Sequence, residues 1–151
     1  MIGAPLTGAP LTGAAAELAA AIDELPLVDH HVHGVVRDDV DRAGFENLIA
    51  ETYHPNPPGV TAFDSQVGFA VRRWCAPVLG LEPHAAPDEY LTRRAELGPD
   101  EVNRRLLRAS GIGTFLIDTG YSPVDVLGPA AMAAAAGGTA REIVRLEAVA
   151  E

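Results

Sequence analysis

Two short apolar runs, separated by a long stretch of helical character, constrain the fold of this sequence most strongly. Leu27–Val32 and Ile112–Asp118 are rich in β-branched residues and have the length of buried strands. Between them, residues 87–89 and 99–101 both read Pro-Asp-Glu, a pattern typical of helix starts. Strands that alternate with helices form parallel sheets. We therefore predict an α/β fold in which these two strands pair in parallel as neighbours.

The segments outside these strands predict further helices and a flexible terminus. Residues 14–26 are rich in Ala, Leu and Glu and end at a proline, which indicates a helix, and Asp41 is the predicted N-cap of the next one. Residues 139–142 have the spacing of a capping box, which predicts a helix that is still running at residue 151. Residues 1–13 contain the repeat GAPLTGAPLTG and are expected to form a flexible tail, with residues 14–151 forming one unit.

Charge and cysteine content exclude several classes of partner. The net charge is −10, from 11 basic and 21 acidic side chains, so we expect neither nucleic acid nor a membrane surface as a partner. The single cysteine, Cys75, fits a reducing compartment and is expected to be a small packed residue. Because no Lys or Arg precedes Arg37, no secretory signal is predicted. We expect a cytoplasmic protein that acts on a small molecule.

The first predicted strand carries the residues best suited to metal binding or catalysis, in the stretch PLVDHHVHGVV. Side chains alternate between the faces of a strand, so Asp29, His31 and His33 are predicted to share one face. Two imidazoles at this spacing predict a divalent metal site, with Asp29 orienting a ligand histidine through its second ring nitrogen. The alternative is a set of ordinary hydrogen-bonded histidines. His30, on the other face, is expected to be a hydrogen-bonded packing residue.

Two interpretations of Asp118, the last residue of the second predicted strand, stay open. It either contacts substrate or supports the metal site, or it only caps the following turn. His54 and His84 lie in proline-rich loops and are expected to be surface residues. Arg72 and Arg73 are interpreted as solvated charges, with a carboxylate clamp as the alternative.

The motif LVDHHVHG resembles the first-strand signature of the amidohydrolase superfamily, Asp-x-His-x-His, most closely in the branch that includes decarboxylases and uronate-isomerase-like enzymes. SGIGTFLIDTGYSP resembles the second barrel strand of that branch. The resemblance covers residues 14–151. It implies the N-terminal, incomplete portion of a (β/α)8 TIM barrel with a helical insertion between strands 1 and 2. We expect that insertion, residues 41–107, to lie at the C-terminal end of the strands, where such barrels carry their sites.

The same resemblance implies a function. His31 and His33 would be metal ligands, with Zn²⁺ as the expected ion, and metal-activated water would attack an amide, ester or lactone-like carbon. Decarboxylation or isomerisation on the same site is an alternative. Because the other ligands of the family come from later strands, this portion alone is expected to be inactive. Two further alternatives remain. One is a catalytically incompetent fragment or an association module, whose strand edges favour homo-oligomers, and the other is a PHP-type phosphoesterase, which also opens with His-x-His.

Overall fold

The computed structural model describes residues 10–52, 54–120 and 125–150. Helices and strands alternate along much of this part of the chain, in the following order: α1 Ala14–Asp23, β1 Leu27–Val32, α2 Arg42–Ala50, a 3₁₀ turn Ala62–Asp64, α3 Gln66–Ala70, a π-helical turn Val71–Cys75, α4 Ala76–Val78, α5 Pro87–Leu97, α6 Pro99–Ala109, β2 Ile112–Asp118, α7 Pro129–Ala136, β3 Thr139–Ile143 and α8 Leu146–Val149. Most of the predicted tail, residues 1–9, lies outside the described residues. Among the helices described, none is both long enough and apolar enough to cross a membrane.

The strands form one open parallel sheet in the order β1-β2-β3. Leu27 pairs with Ile112 and Val32 with Ile117, which confirms the prediction that these two strands are parallel neighbours. β3 continues the sheet on the other side of β2, with Asp118 opposite Ile143. The sheet does not close on itself within the described residues, so β1 and β3 are edge strands.

The predicted helix at residues 139–142 is wrong, because these residues form β3. α7 ends at Gly137, whose φ of 72° turns the chain out of the helix before the capping-box pattern begins. The Thr114 and Thr139 hydroxyls, which are cross-strand neighbours, lie 2.9 Å apart and form a hydrogen bond. Backbone pairing with β2 therefore outweighs the local preference for a helix start.

Two hydrophobic clusters hold the structure together. One lies between the sheet and helices α6 and α7 and is built from these buried residues: Leu107, Phe115, Ile117, Leu127 and Met132. The other lies within the helical insertion and contains these buried residues: Phe45, Phe63, Ala76, Leu79, Ala85, Tyr90 and Val102. Because α6 contributes to both clusters, it joins the insertion to the sheet.

Helix caps inside the insertion agree with the sequence. The Asp41 side chain accepts a hydrogen bond of 2.8 Å from the Gly44 amide, as expected of an N-cap, and α5 and α6 begin at Pro87 and Pro99.

The location predicted for the insertion is wrong in part. α4 packs on α6, and a cavity lies between α4 and the last turn of α6. That last turn leads into the N-terminal end of β2. A crossover helix runs back along its sheet, so the helices packed on it do not all lie at the C-terminal ends of the strands.

Candidate metal centre

His31, His33 and Asp118 come together at the C-terminal edge of the sheet. Their ligand atoms all lie within 4.8 Å of one another. The two imidazole rings stand perpendicular, with centroids 5.0 Å apart. Both histidines are exposed, whereas Asp118 is only 3% exposed. The cluster therefore presents two accessible imidazoles above a buried carboxylate.

Parallel pairing of β1 with β2 produces this arrangement. Val32 lies opposite Ile117, so the residues that follow each of them emerge at the same edge of the sheet. The chain then turns at Gly34, whose φ is 92° and whose missing side chain allows the Leu127 carbonyl to approach. The Leu127 amide donates a 2.8 Å hydrogen bond to the Val35 carbonyl, which ties the chain after β1 to the chain after β2.

Two residues of the histidine motif, Asp29 and His30, differ from expectation. The burial pattern of β1 does not alternate, because the pairing with β2 is irregular between Asp29 and Val32. His30 is exposed, so its predicted role as a packing residue is wrong. The reason is that β1 is an edge strand, and α7 packs on β2 and β3. The Asp29 carboxylate accepts a 3.2 Å hydrogen bond from the backbone amide of His31, and so it positions the backbone rather than the imidazole.

Asp118 is held by a group that the sequence analysis missed, the guanidinium of Arg145. The Arg145 Nε and Nη2 atoms lie 3.0 and 2.7 Å from the two carboxylate oxygens, and the Gly120 amide donates a further bond of 2.9 Å. A side chain at residue 120 would collide with Arg145, so glycine makes room for the pair. The hydrogen bond from Arg145 lowers the pKa of Asp118 to about 2, with smaller contributions from the Gly120 amide and the charge of His33. Asp118 therefore both caps the following turn and belongs to the cluster.

The donor set fits a zinc ion. Imidazole nitrogen and carboxylate oxygen are among its usual ligands, and three protein ligands are the number found in catalytic zinc sites. Arg145 opposes binding, because its positive charge already occupies both oxygens of Asp118. Arg145 lies two residues after Ile143, the strand partner of Asp118. This position could have revealed Arg145 from the sequence only if β3 had been recognised as a strand.

No protein-family model matches the chain, and comparisons with curated proteins and with solved structures find no match. The resemblance to the amidohydrolase superfamily therefore rests on the sequence motifs of β1 and β2. The cluster consists of residues from those same motifs, His31, His33 and Asp118.

The other candidate residues lie outside the cluster. His54 and His84 are exposed, as expected. The Arg72 guanidinium donates hydrogen bonds to the carbonyls of Ala85 and His84, at 2.9 and 3.0 Å, so it holds the insertion together. Cys75 is partly buried against the helical cluster, as expected of a packed residue, and burial raises the pKa of its thiol.

Proposed function

We propose that this chain supplies the first strands of a divalent-metal site in an amidohydrolase-type hydrolase, with Zn²⁺ as the expected ion. The observation that carries the proposal is the convergence of His31, His33 and Asp118 at one edge of a parallel sheet. The order β1-β2-β3, with helices between the strands, supports the larger proposal of an incomplete (β/α)8 barrel, in which each strand lies beside its sequence neighbour. A small-molecule substrate at the C-terminal edge belongs to the same proposal.

Each residue has a distinct role in this proposal. Ring nitrogens of His31 and His33 hold the metal, and the Asp118 carboxylate is the third group. When bound, the ion supplies a polarised substrate carbonyl and a water of lowered pKa. A general base works best with a pKa near the operating pH, and the pKa of Asp118 is about 2. While it is paired with Arg145, Asp118 is therefore ionised and contributes negative charge to the cluster.

Hydrolysis is favoured over the alternative chemistries only by the resemblance of the motif. Decarboxylation and isomerisation would use the same two histidines. A screen of amides, lactones and carboxylic acids separates the three, and it uses a zinc-loaded protein that also carries the later barrel strands, because this portion alone is expected to be inactive. Release of carbon dioxide without net uptake of water identifies a decarboxylase, and a product of unchanged mass identifies an isomerase.

Zinc affinity tests the site directly. The apparent dissociation constant of Zn²⁺ is measured by competition with a chromophoric chelator for the parent chain and for His31→Ala, His33→Ala and Asp118→Asn. We expect each histidine variant to bind zinc at least about tenfold more weakly, since a direct ligand contributes no less than the groups that orient it. His54→Ala is the matched control, because His54 is exposed and lies outside the cluster. Equal affinities for His31→Ala, His33→Ala and His54→Ala would refute the metal site.

Self-association through β1 is a second candidate function, favoured by the exposure of its apolar side chains. Leu27 and Val28 are 52% and 59% exposed on an edge strand whose outer backbone groups have no strand partner within the described residues. Such edges pair readily with other chains. We expect Val28→Lys to reduce any concentration-dependent mass seen by sedimentation, and Val60→Lys, in a loop, to leave it unchanged. A monomer at every concentration would remove this candidate.

A further inference from the structure

A cavity of about 480 Å³ lies between the middle of the helical insertion and the last turn of α6. Its volume falls in the range of small-molecule sites, about 300–1,000 Å³. The lining is mostly apolar and includes Trp74, Pro77, Val78, Leu106 and Ala109.

This cavity is separate from the metal centre. Ser110, which lines it, lies just before the N-terminal end of β2, and Asp118 lies at the opposite end of that strand. A strand of this length spans roughly 20 Å. A ligand in the cavity would therefore not touch His31 or His33, and binding there can be tested without a metal.

The π-helical turn Val71–Cys75 shapes one wall of the cavity. Pro77 has no amide hydrogen, so the carbonyl of Arg73 cannot receive the hydrogen bond that an α-helix would provide from four residues later. A wider turn accommodates this and changes the direction of the side chains that it carries, as such turns often do at functional sites. Close packing holds the start of this helical segment: a Cβ atom at Gly68 would lie 2.4 Å from the Ala62 carbonyl oxygen.

Arg73 forms the polar side of the cavity, next to the apolar ring of Trp74. The Arg73 guanidinium lies over the Trp74 ring, 4.9 Å from its centroid. Within the described part of the chain, Arg73 forms no hydrogen bond and no ion pair, although acidic residues outnumber basic ones 21 to 11. The neighbouring Arg72, in contrast, uses its donors on backbone carbonyls. Arg73 thus holds a planar set of N–H donors beside an apolar wall.

We propose that this cavity binds a small carboxylic acid with an apolar body, such as a medium-chain monocarboxylate. The carboxylate lies on the Arg73 guanidinium, whose fork of donors matches its two oxygens. The apolar body lies against Trp74 and Leu106. Binding is noncovalent, because a free carboxylate is not an electrophile towards the Cys75 thiol that also lines the cavity.

Trp74 is the single tryptophan of the chain, so its fluorescence reports on the cavity directly. The parent chain is titrated with decanoate below the concentration at which decanoate forms micelles, and heats of binding are recorded in parallel by calorimetry. Decanol is the neutral comparison ligand, and acetate is a carboxylate without an apolar body. We expect saturable binding of decanoate, weaker binding of decanol and no binding of acetate.

Two variants separate the charge from the apolar body. Arg73→Met should weaken decanoate binding by on the order of tenfold and leave decanol binding nearly unchanged, because only the charge-assisted hydrogen bonds are lost. Ala109→Phe should abolish binding of both by filling the cavity, with helical circular dichroism confirming that it folds. Arg104→Met is the control for the loss of an arginine, since Arg104 is exposed on α6, pairs with Glu101 and does not line the cavity.

Three results would overturn the proposal. Equal affinity of the parent chain for decanoate and decanol would show that Arg73 does not recognise the carboxylate. Unchanged decanoate affinity in Arg73→Met would also show that Arg73 does not bind the carboxylate. A Trp74 signal that changes with protein concentration in the absence of ligand would show that a second copy of the chain covers the cavity instead.

Discussion

At the proposed metal site, Arg145 and a metal ion would compete for the carboxylate of Asp118. Both oxygens of Asp118 already accept hydrogen bonds from Arg145, and the pair is largely buried on the carboxylate side. Two positive groups cannot share the carboxylate without mutual repulsion. Metal binding by all three residues of the cluster therefore requires the guanidinium of Arg145 to give up part of its contact.

Replacement of Arg145 is expected to tighten zinc binding. In Arg145→Met the carboxylate of Asp118 loses its competing partner, and a hydrogen bond to a charged group contributes about 1.5–3 kcal/mol, so an affinity gain of at least about tenfold is expected. Zinc dissociation constants from chelator competition measure it. Arg141→Met, an exposed arginine of β3, is the matched control and should show no gain. Weaker zinc binding in Arg145→Met would show that Arg145 instead orients Asp118 for the metal.

The exposure of His30 gives a second expectation for a single side chain. Exposed substitutions away from special contacts change the free energy of unfolding by no more than about 0.5 kcal/mol. His30→Ala should therefore change neither this free energy nor zinc affinity beyond that range, as measured by urea unfolding and chelator competition. A loss of zinc in His30→Ala, with retention in His31→Ala, would place the metal on the other side of β1.

Among the secondary structure elements, α2 is anchored by one buried carboxylate. Glu46 is 7% exposed and accepts hydrogen bonds from the Ala62 amide at 2.8 Å, the Asn56 amide group at 3.0 Å and the Arg42 guanidinium at 2.8 Å. Burial alone would raise the pKa of Glu46, but the bonds from Ala62 and Arg42 outweigh it and lower the pKa. Glu46 therefore fixes α2 to the start of the following 3₁₀ turn.

Loss of this charge should destabilise the protein in a way that depends on pH. Glu46→Gln is expected to lower the free energy of unfolding by about 1–3 kcal/mol at neutral pH. Because the folded-state pKa is lowered, the contribution of Glu46 is present above the usual glutamate pKa of about 4.3 and is lost as pH falls below it. The difference between the two proteins in urea unfolding should shrink accordingly.

Glu96→Gln is the control for this experiment, since Glu96 forms only an exposed ion pair with Arg93. It should cost less than about 1 kcal/mol at any pH. A deficit of the Glu46 variant that is constant from neutral pH to pH 3 would mean that the charge of Glu46 is not what stabilises α2.

The sequence predicts those elements whose signals are local. β1 and β2 are apolar runs with clear limits, and Asp41 caps its helix through its own side chain, so each was predictable from a few neighbouring residues. β3 reads TAREI, with polar residues at three of its positions, and it becomes a strand through pairing with β2. That pairing is a long-range interaction, which local patterns do not contain.

The same limit explains which parts of the candidate site were predictable. His31 and His33 follow from the spacing at the end of β1, and Asp118 follows from the end of a second apolar run. Arg145 could not be predicted, because its place beside Asp118 depends on β3. The exposure of His30 depends on which helices cover β1, and that information is also distributed over the whole chain.

In the part of the protein that the structure describes, the buried apolar side chains are concentrated outside β1. Both hydrophobic clusters are built from the insertion, β2 and the helices packed on β2, whereas none of the α1 residues is buried. β1 contributes only partly buried side chains, such as Val32. Regions with few buried apolar contacts open first. β1, which carries His31 and ends just before His33, is therefore expected to belong to the least stable part of the structure.

Hydrogen exchange measures this distribution and its response to zinc. Amides of β1 should exchange much faster than those of Phe115 and Ile117 in β2, because β1 is an edge strand and opens without disrupting either cluster. If Zn²⁺ binds the folded arrangement of His31 and His33, as proposed, it stabilises β1 by mass action. Added Zn²⁺ should thus slow exchange in β1 and leave α5 unchanged, and His31→Ala should remove the effect. If β1 and β2 exchange at equal rates without metal, the strand is stabilised by contacts other than those described. If zinc slows α5 as much as β1, the ion acts on the whole protein rather than at the C-terminal edge of the sheet.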